Sequence, residues 1–228
     1  MEQNLQPYND LITRYRDFLQ TWYKNDQTEA SRFNLFSILK ISWKEALVHT
    51  PFLAELLNPQ GTHSQGALFY KEFIRTVLPK KDQAIFGNVN TKYLYIKDEE
   101  GIKNGYIDIF IHHKDKVNPF VFIIENKILA GDQEKQLSRY YEFLKRMPGI
   151  NPDKMRILYL LPIEGLPSEQ SIKKELREKL IETGVLITIS YQHHIINWLR
   201  RCNELVKAPK VNFSLTQYLL TLESICNE

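Results

Sequence analysis

Three charged residues stand where charge is expensive. Asp108 lies inside Gly-Tyr-Ile-Asp-Ile-Phe-Ile at 105–111, and Glu125 and Lys127 close Phe-Ile-Ile-Glu-Asn-Lys at 122–127. Both segments are β-branched and aromatic runs of the kind that form strands, and a carboxylate inside such a run is costly unless a partner neutralises it. On a strand, Glu125 and Lys127 at i and i+2 share a face. Asp108 precedes Glu125 by seventeen residues (125 − 108), which suits an antiparallel hairpin, where directly opposed residues also share a face. A register with 108 opposite 125 therefore brings the three groups together. Alternation puts Tyr106, Asp108 and Phe110 on that face and Ile107, Ile109 and Ile111 on the other.

Two carboxylates about 4 Å apart repel by roughly 4 kcal/mol at an effective dielectric near 20. Lys127 offsets that repulsion, and a divalent cation reverses it. Mg²⁺ is usually held by one or two carboxylates with water and phosphate oxygens, whereas Zn²⁺ would call for His or Cys. The expected cofactor is Mg²⁺, with Mn²⁺ as a substitute. The bland alternative is a surface Glu125–Lys127 ion pair beside an Asp108 that caps a bend.

The following segment, Ala-Gly-Asp-Gln-Glu-Lys-Gln-Leu-Ser-Arg-Tyr-Tyr at 130–141, bears on that choice. As a helix it stacks Gln136 and Tyr140 at i and i+4, with Arg139 beside them. The apolar stripe Leu137, Tyr141 and Leu144 lies about one residue's rotation away, so Gln136 and Tyr140 border the core. Upstream, Glu45 and His49 have the same i, i+4 spacing, although a lone histidine is more often structural than catalytic. His112-His113 and His193-His194 lack a Cys or carboxylate at metal-ligand spacing and read as solvated.

The elements that must position these residues follow from periodicity. Apolar residues recur at helical spacing from 6 to about 78, as in Leu11, Tyr15, Phe18 and Trp22, and a helix over about 64–77 ends at Pro79. Three strands lie between 89 and 127, divided by Asp-Glu-Glu-Gly-Ile-Lys-Asn-Gly and Lys-Asp-Lys-Val-Asn-Pro. A helix over 132–147, a strand at 156–162, a charged helix near 168–183 and a strand at 185–189 follow. Helices at about 191–207 and 213–225 complete the chain. This order predicts an α/β fold with a mixed sheet flanked by helices. The expected organisation is a single domain over 1–228, with a helical N-terminal part to 80, an α/β core over 89–190 and C-terminal helices from 191.

These motifs, Ile-Asp-Ile at 107–109, Ile-Glu-Asn-Lys at 124–127 and Gln-x-x-x-Tyr at 136–140, resemble the PD-(D/E)XK nuclease superfamily, with its restriction-endonuclease-like fold, in RecB-like order. His49 to His63 also resembles the N-terminal region of an uncharacterised bacterial branch, so the resemblance covers roughly residues 35 to 162. It implies a core of four mixed strands, with Asp108 and Glu125 as metal ligands and Lys127 positioning the attacking water. Gln136 and Tyr140 would support the site, and Glu45 matches an extra acidic residue that many members carry. One departure stands out: Tyr106-Ile107 precede Asp108, where the superfamily is named for a proline.

Composition narrows the partners. With 30 Lys+Arg against 27 Asp+Glu, the net charge of +3 is far from that of a histone-like binder, so any hold on nucleic acid must be a local patch, for which Lys135, Arg139, Lys145 and Arg146 are candidates. Two cysteines make neither a disulfide framework nor a zinc quartet. No secretory leader, membrane span or nucleotide-binding glycine loop is legible, which points to a cytoplasmic protein. The expected function is metal-dependent hydrolysis of phosphodiester bonds, in DNA by family analogy. The alternative is a catalytically silent nuclease fold acting as a nucleic-acid-binding or regulatory module, against which the intact Asp, Glu and Lys argue.

Overall fold

The computed structural model describes residues 6–30, 32–103 and 105–227. Residues 1–5, part of the segment read for a leader, and Asn104 of the first hairpin loop lie outside the described residues. The fold is α/β, a five-stranded mixed sheet flanked by helices.

The helices before the sheet are α1 (Gln6–Glu29), α2 (Leu35–Ile38), α3 (Thr50–Leu57), α4 (Leu68–Val77) and α5 (Lys80–Phe86), with a π-helical turn at Glu45–His49 running into α3. The sheet is β1 (Leu94–Ile102), β2 (Gly105–His113), β3 (Phe120–Asn126), β4 (Met155–Leu161) and β5 (Leu186–Ser190), in that spatial order. The first three strands are antiparallel to one another, and β3, β4 and β5 run parallel. Parallel neighbours need crossovers, supplied by α6 (Gln136–Lys145) and α7 (Lys174–Glu182); α8 (Ile196–Leu205) and α9 (Pro209–Asn227) finish the chain.

Every residue of β3 is buried, as expected for a central strand covered on both faces. One face packs Ile109, Ile111, Phe122, Ile124 and Leu160 against α3, α4, α8 and α9. The other packs Phe110, Val121, Ile123 and Tyr159 against Leu137, Tyr140 and Leu144 of α6 and Leu180 of α7. Among the described residues, no helix is long and apolar enough to cross a membrane.

The structure corrects several expectations. The sheet has the five strands read from periodicity, one more than the four-strand core that the resemblance implied. Asp98 to Ile102, read as part of a loop, belong to β1, since the hairpin closes later than the charged Asp-Glu-Glu run suggested. Ile107 packs with the α6 cluster rather than with Ile109 and Ile111. The facing Glu99 has φ +48°, and the ladder skips from Asp98–Ile109 to Glu100–Ile107, so strict alternation fails there. Helix α5 was missed because seven residues carry little periodicity; it is anchored by Phe86 and by a buried Asp82–Arg156 ion pair at 2.6 Å. Helix α6 starts at Gln136, four residues late, because Lys135 takes a left-handed φ of +53°. Asp132 instead accepts the Tyr159 hydroxyl at 3.0 Å and the Ser168 N–H at 2.7 Å. His113 is buried rather than solvated, with its ring nitrogens on the Asn118 and Asn90 carbonyls.

Candidate active site

The ladder between β2 and β3 pairs Ile109 with Ile124, and one further step in the same register sets Asp108 against Glu125. Asp108 Oδ2 accepts the backbone N–H of Asn126 at 2.7 Å, so the hairpin itself ties the aspartate to the strand that carries the other two groups.

Glu125 is fully buried and Lys127 is 5% exposed. Lys127 Nζ lies 2.6 Å from Glu125 Oε1, and Gln136 Nε2 donates to the same oxygen at 2.6 Å. The Tyr140 hydroxyl lies 2.8 Å from Oε2 and also 2.6 Å from the Tyr106 carbonyl. Helix α6 thus covers Glu125 with Gln136 and Tyr140. Both are buried instead of bordering the core, because their polar ends are occupied by the carboxylate. Glu45 reaches in from the π-helical turn, where its Oε2 accepts the Ile128 N–H at 2.6 Å. All six sequence-selected residues are brought to one place.

His49 is not. Its Nδ1 meets the Tyr218 hydroxyl and its Nε2 the Ser42 carbonyl, each at 2.8 Å. It is buried on the opposite side of β3, among Tyr191 and Tyr218.

The electrostatics reflect an excess of carboxylate. Asp108 is pushed up to about 8, first by burial and then by the charge of Glu125. Burial likewise raises Glu125. Burial alone would lower Lys127, but Glu125, Asp108 and Glu45 reverse that and leave its ammonium raised. Three carboxyl groups, of which Glu125 is buried and Asp108 and Glu45 are half-buried, share one buried ammonium, a cluster short of positive charge.

Does a divalent cation fit? Among the described residues no three His, Cys, Asp or Glu side chains gather as a ready-made ligand set, so water and phosphate oxygens would have to complete a shell. Glu125 Oε1 receives Lys127 and Gln136, while beside Oε2 the Tyr140 hydroxyl has one proton for two acceptors, Glu125 and the Tyr106 carbonyl; of about four lone-pair positions on a carboxylate, at least one is left on Oε2. Asp108 spends Oδ2 on Asn126 and keeps Oδ1. Two carboxylate oxygens with solvent suit Mg²⁺ and would not suit Zn²⁺.

Sequence reasoning missed Asn126. Its side chain lies on the other face of β3, where Nδ2 donates to Thr50 Oγ1 at 3.1 Å and Oδ1 accepts the Tyr191 hydroxyl at 2.8 Å. The available signal was an amide at a wholly buried strand position, which needs partners.

No curated protein and no solved structure matches the chain. A family model described as the PD-(D/E)XK nuclease superfamily matches residues 33–220, a longer stretch than the 35 to 162 covered by the motifs. Nucleases of this superfamily generally use divalent metal ions. With five strands in mixed order, an aspartate on β2, Glu-x-Lys closing β3 and Gln-x-x-x-Tyr on the next helix, the chain belongs to the PD-(D/E)XK nuclease superfamily.

Proposed function

We propose that this protein is a metal-dependent nuclease, a single domain over 1–228 acting in the cytoplasm, that hydrolyses phosphodiester bonds in DNA with Mg²⁺, or Mn²⁺ in its place. Asp108 and Glu125 would hold the ion. The observation that carries the reading is the gathering of Glu125, Asp108 and Glu45 around a single ammonium, with Lys127 and Glu125 buried and 2.6 Å apart. When bound, a divalent cation polarises the phosphodiester and acidifies a water molecule.

The chain's own residues do the rest. Lys127 stays protonated and offers its ammonium to the attacking water and to charge growing on the phosphate. Gln136 and Tyr140 fix the orientation of Glu125, and the Asn126 N–H fixes Asp108. Glu45 secures the backbone immediately after Lys127. The silent-module alternative draws on one observation, the three donors already crowding Glu125.

The test is purified protein on plasmid, single-stranded DNA and RNA, with Mg²⁺, Mn²⁺ or EDTA. Cleavage of DNA with metal and none in EDTA is expected. Binding without cleavage under every metal condition would favour the silent module, and cleavage that persists in EDTA would overturn the metal-dependent reading.

A further inference from the structure

Beside the cluster, on the flank of α6 next to the one bearing Gln136 and Tyr140, runs a groove of about 420 Å³. One wall is α6 with its two caps, contributing Lys135, Ser138, Arg139, Glu142 and Arg146; the other is the β1–β2 hairpin, contributing Lys103. Four of these side chains are cations and one is an anion. That anion, Glu142, is already paired with Lys145 at 3.0 Å. Lys145 itself lies over the Tyr141 ring at 5.2 Å and does not line the groove, which removes it from the patch expected from sequence.

Arg139 is the central feature. Its Nε is buried with no hydrogen-bond partner, the one such side-chain atom among the described residues. Its Nη1 donates to the Glu134 carbonyl, and its Nη2 sits 3.6 Å from where a Cβ on Gly105 would be. That is ordinary van der Waals contact, and it is the φ of +147° that favours glycine at 105. A buried guanidinium N–H without an acceptor is costly, and an anion that drew the head outward would relieve that cost without breaking a bond at Nε. Guanidinium groups match phosphate oxygens in pairs.

The wall carrying Arg139 also carries Tyr140, whose hydroxyl touches both Glu125 and the Tyr106 carbonyl. Gly105 and Tyr106 lead directly into Asp108. The groove is therefore walled by the same helix and hairpin that carry Gln136, Tyr140 and Asp108.

We infer that this groove is a phosphate track, binding the sugar-phosphate backbone of a nucleic-acid strand that enters or leaves the cluster, with Arg139 as its anchor and Lys103, Lys135 and Arg146 as flanking contacts. The inference rests on the nuclease reading above and adds where the strand runs. Contacts of this type read no sequence, so the track fixes position and polarity rather than base preference.

The test is fluorescence anisotropy of a labelled single-stranded DNA oligonucleotide in EDTA, over a range of salt. Lys103→Glu with Arg146→Glu, both exposed positions, should weaken binding tenfold or more. Arg139→Gln, with less effect on surface charge, should flatten the salt dependence by about 0.7 in the log–log slope, one single-strand phosphate contact. Lys174→Glu with Lys179→Glu on α7 makes the same change in net charge away from the groove and should leave affinity within about threefold of wild type. Mn²⁺ affinity should be unchanged in the groove variants. If wild type neither binds nor cleaves nucleic acid, the nuclease reading fails and the track with it. If wild type cleaves, but the groove variants bind as tightly as wild type or no more weakly than the α7 variant, the track alone is overturned.

Discussion

Glu125 and Asn126 are neighbours on β3 that face opposite sides of the sheet and are held by opposite means. Glu125 sits in a charged cluster whose three carboxylates outnumber the lysine. Asn126 sits among neutral partners that match it: Thr50 accepts, Tyr191 donates, and His49 and Tyr218 pack alongside. A buried neutral network with its bonds made stabilises and orients. A buried cluster with unbalanced charge carries a standing cost, retained where chemistry needs it. One strand end thus carries a neutral, fully bonded face and a charged, unbalanced one, joined by the Asn126 peptide that holds Asp108.

Variants on the two faces should therefore fail differently. The largest effect belongs to Asp108→Asn and Glu125→Gln, which should each reduce cleavage by roughly a thousandfold or more, combining lost ion binding with lost transition-state stabilisation. Thermal unfolding should show Asp108→Asn folded and no less stable, and Glu125→Gln folded but destabilised, since it leaves the buried Lys127 ammonium without its partner. Turnover near wild type at matched folding would remove that residue from the site.

Lys127→Met comes next. It keeps most of the apolar stem, so the rate should fall roughly a hundredfold, the scale of one transition-state donor. Mn²⁺ affinity measured by calorimetry should hold or rise, since a competing cation has been removed. Weaker Mn²⁺ binding with an unchanged rate would contradict the proposed role.

The neutral face should answer to pH. His49 is lowered to about 4 by burial, against the Ser42 carbonyl, which raises it. Its folded value lies below the unfolded 6.5, so the unfolded chain binds the proton first. The His49 contribution is complete above pH 6.5 and is lost as pH falls from 6.5 toward 4, by about 3 kcal/mol in all. Denaturant unfolding of wild type and His49→Gln across that window should differ in pH slope. Parallel slopes would mean that His49 is not held neutral.

The smallest effect is expected for Asn126→Ala. It orphans the Tyr191 hydroxyl and leaves Thr50 without its donor, costing about 1–3 kcal/mol. Cleavage should fall as the peptide holding Asp108 loosens. Unchanged stability would show that the clamp does not constrain β3.

The gathering of the charged face was largely legible because strand alternation and a hairpin fix it from a few residues. Ile-Asp-Ile contributes a polar group at a half-buried position and Glu-Asn-Lys and Gln-x-x-x-Tyr at buried ones, and the ladder sum that pairs 109 with 124 also pairs 108 with 125. The neutral face was not legible, because Thr50, Asn126 and Tyr191 are far apart in sequence and meet only through packing. His49 misled for a related reason: Glu45 and His49 share a spacing, but the π-helical turn sends one to Ile128 and the other to Tyr218. Helix α5 and the late start of α6 depend on tertiary anchors, Arg156 and Asp132, that leave no local periodicity.

The central claim, that the cluster is short of one divalent cation, is tested most directly by thermal unfolding of wild type and Asp108→Asn with EDTA or with Mn²⁺. Wild type should gain about 2.7 kcal/mol when free Mn²⁺ reaches a hundredfold its Kd. Asp108→Asn should be at least as stable as wild type in EDTA and nearly indifferent to Mn²⁺. A wild-type protein that Mn²⁺ does not stabilise, or an Asp108→Asn variant stabilised as much as wild type, would contradict the account.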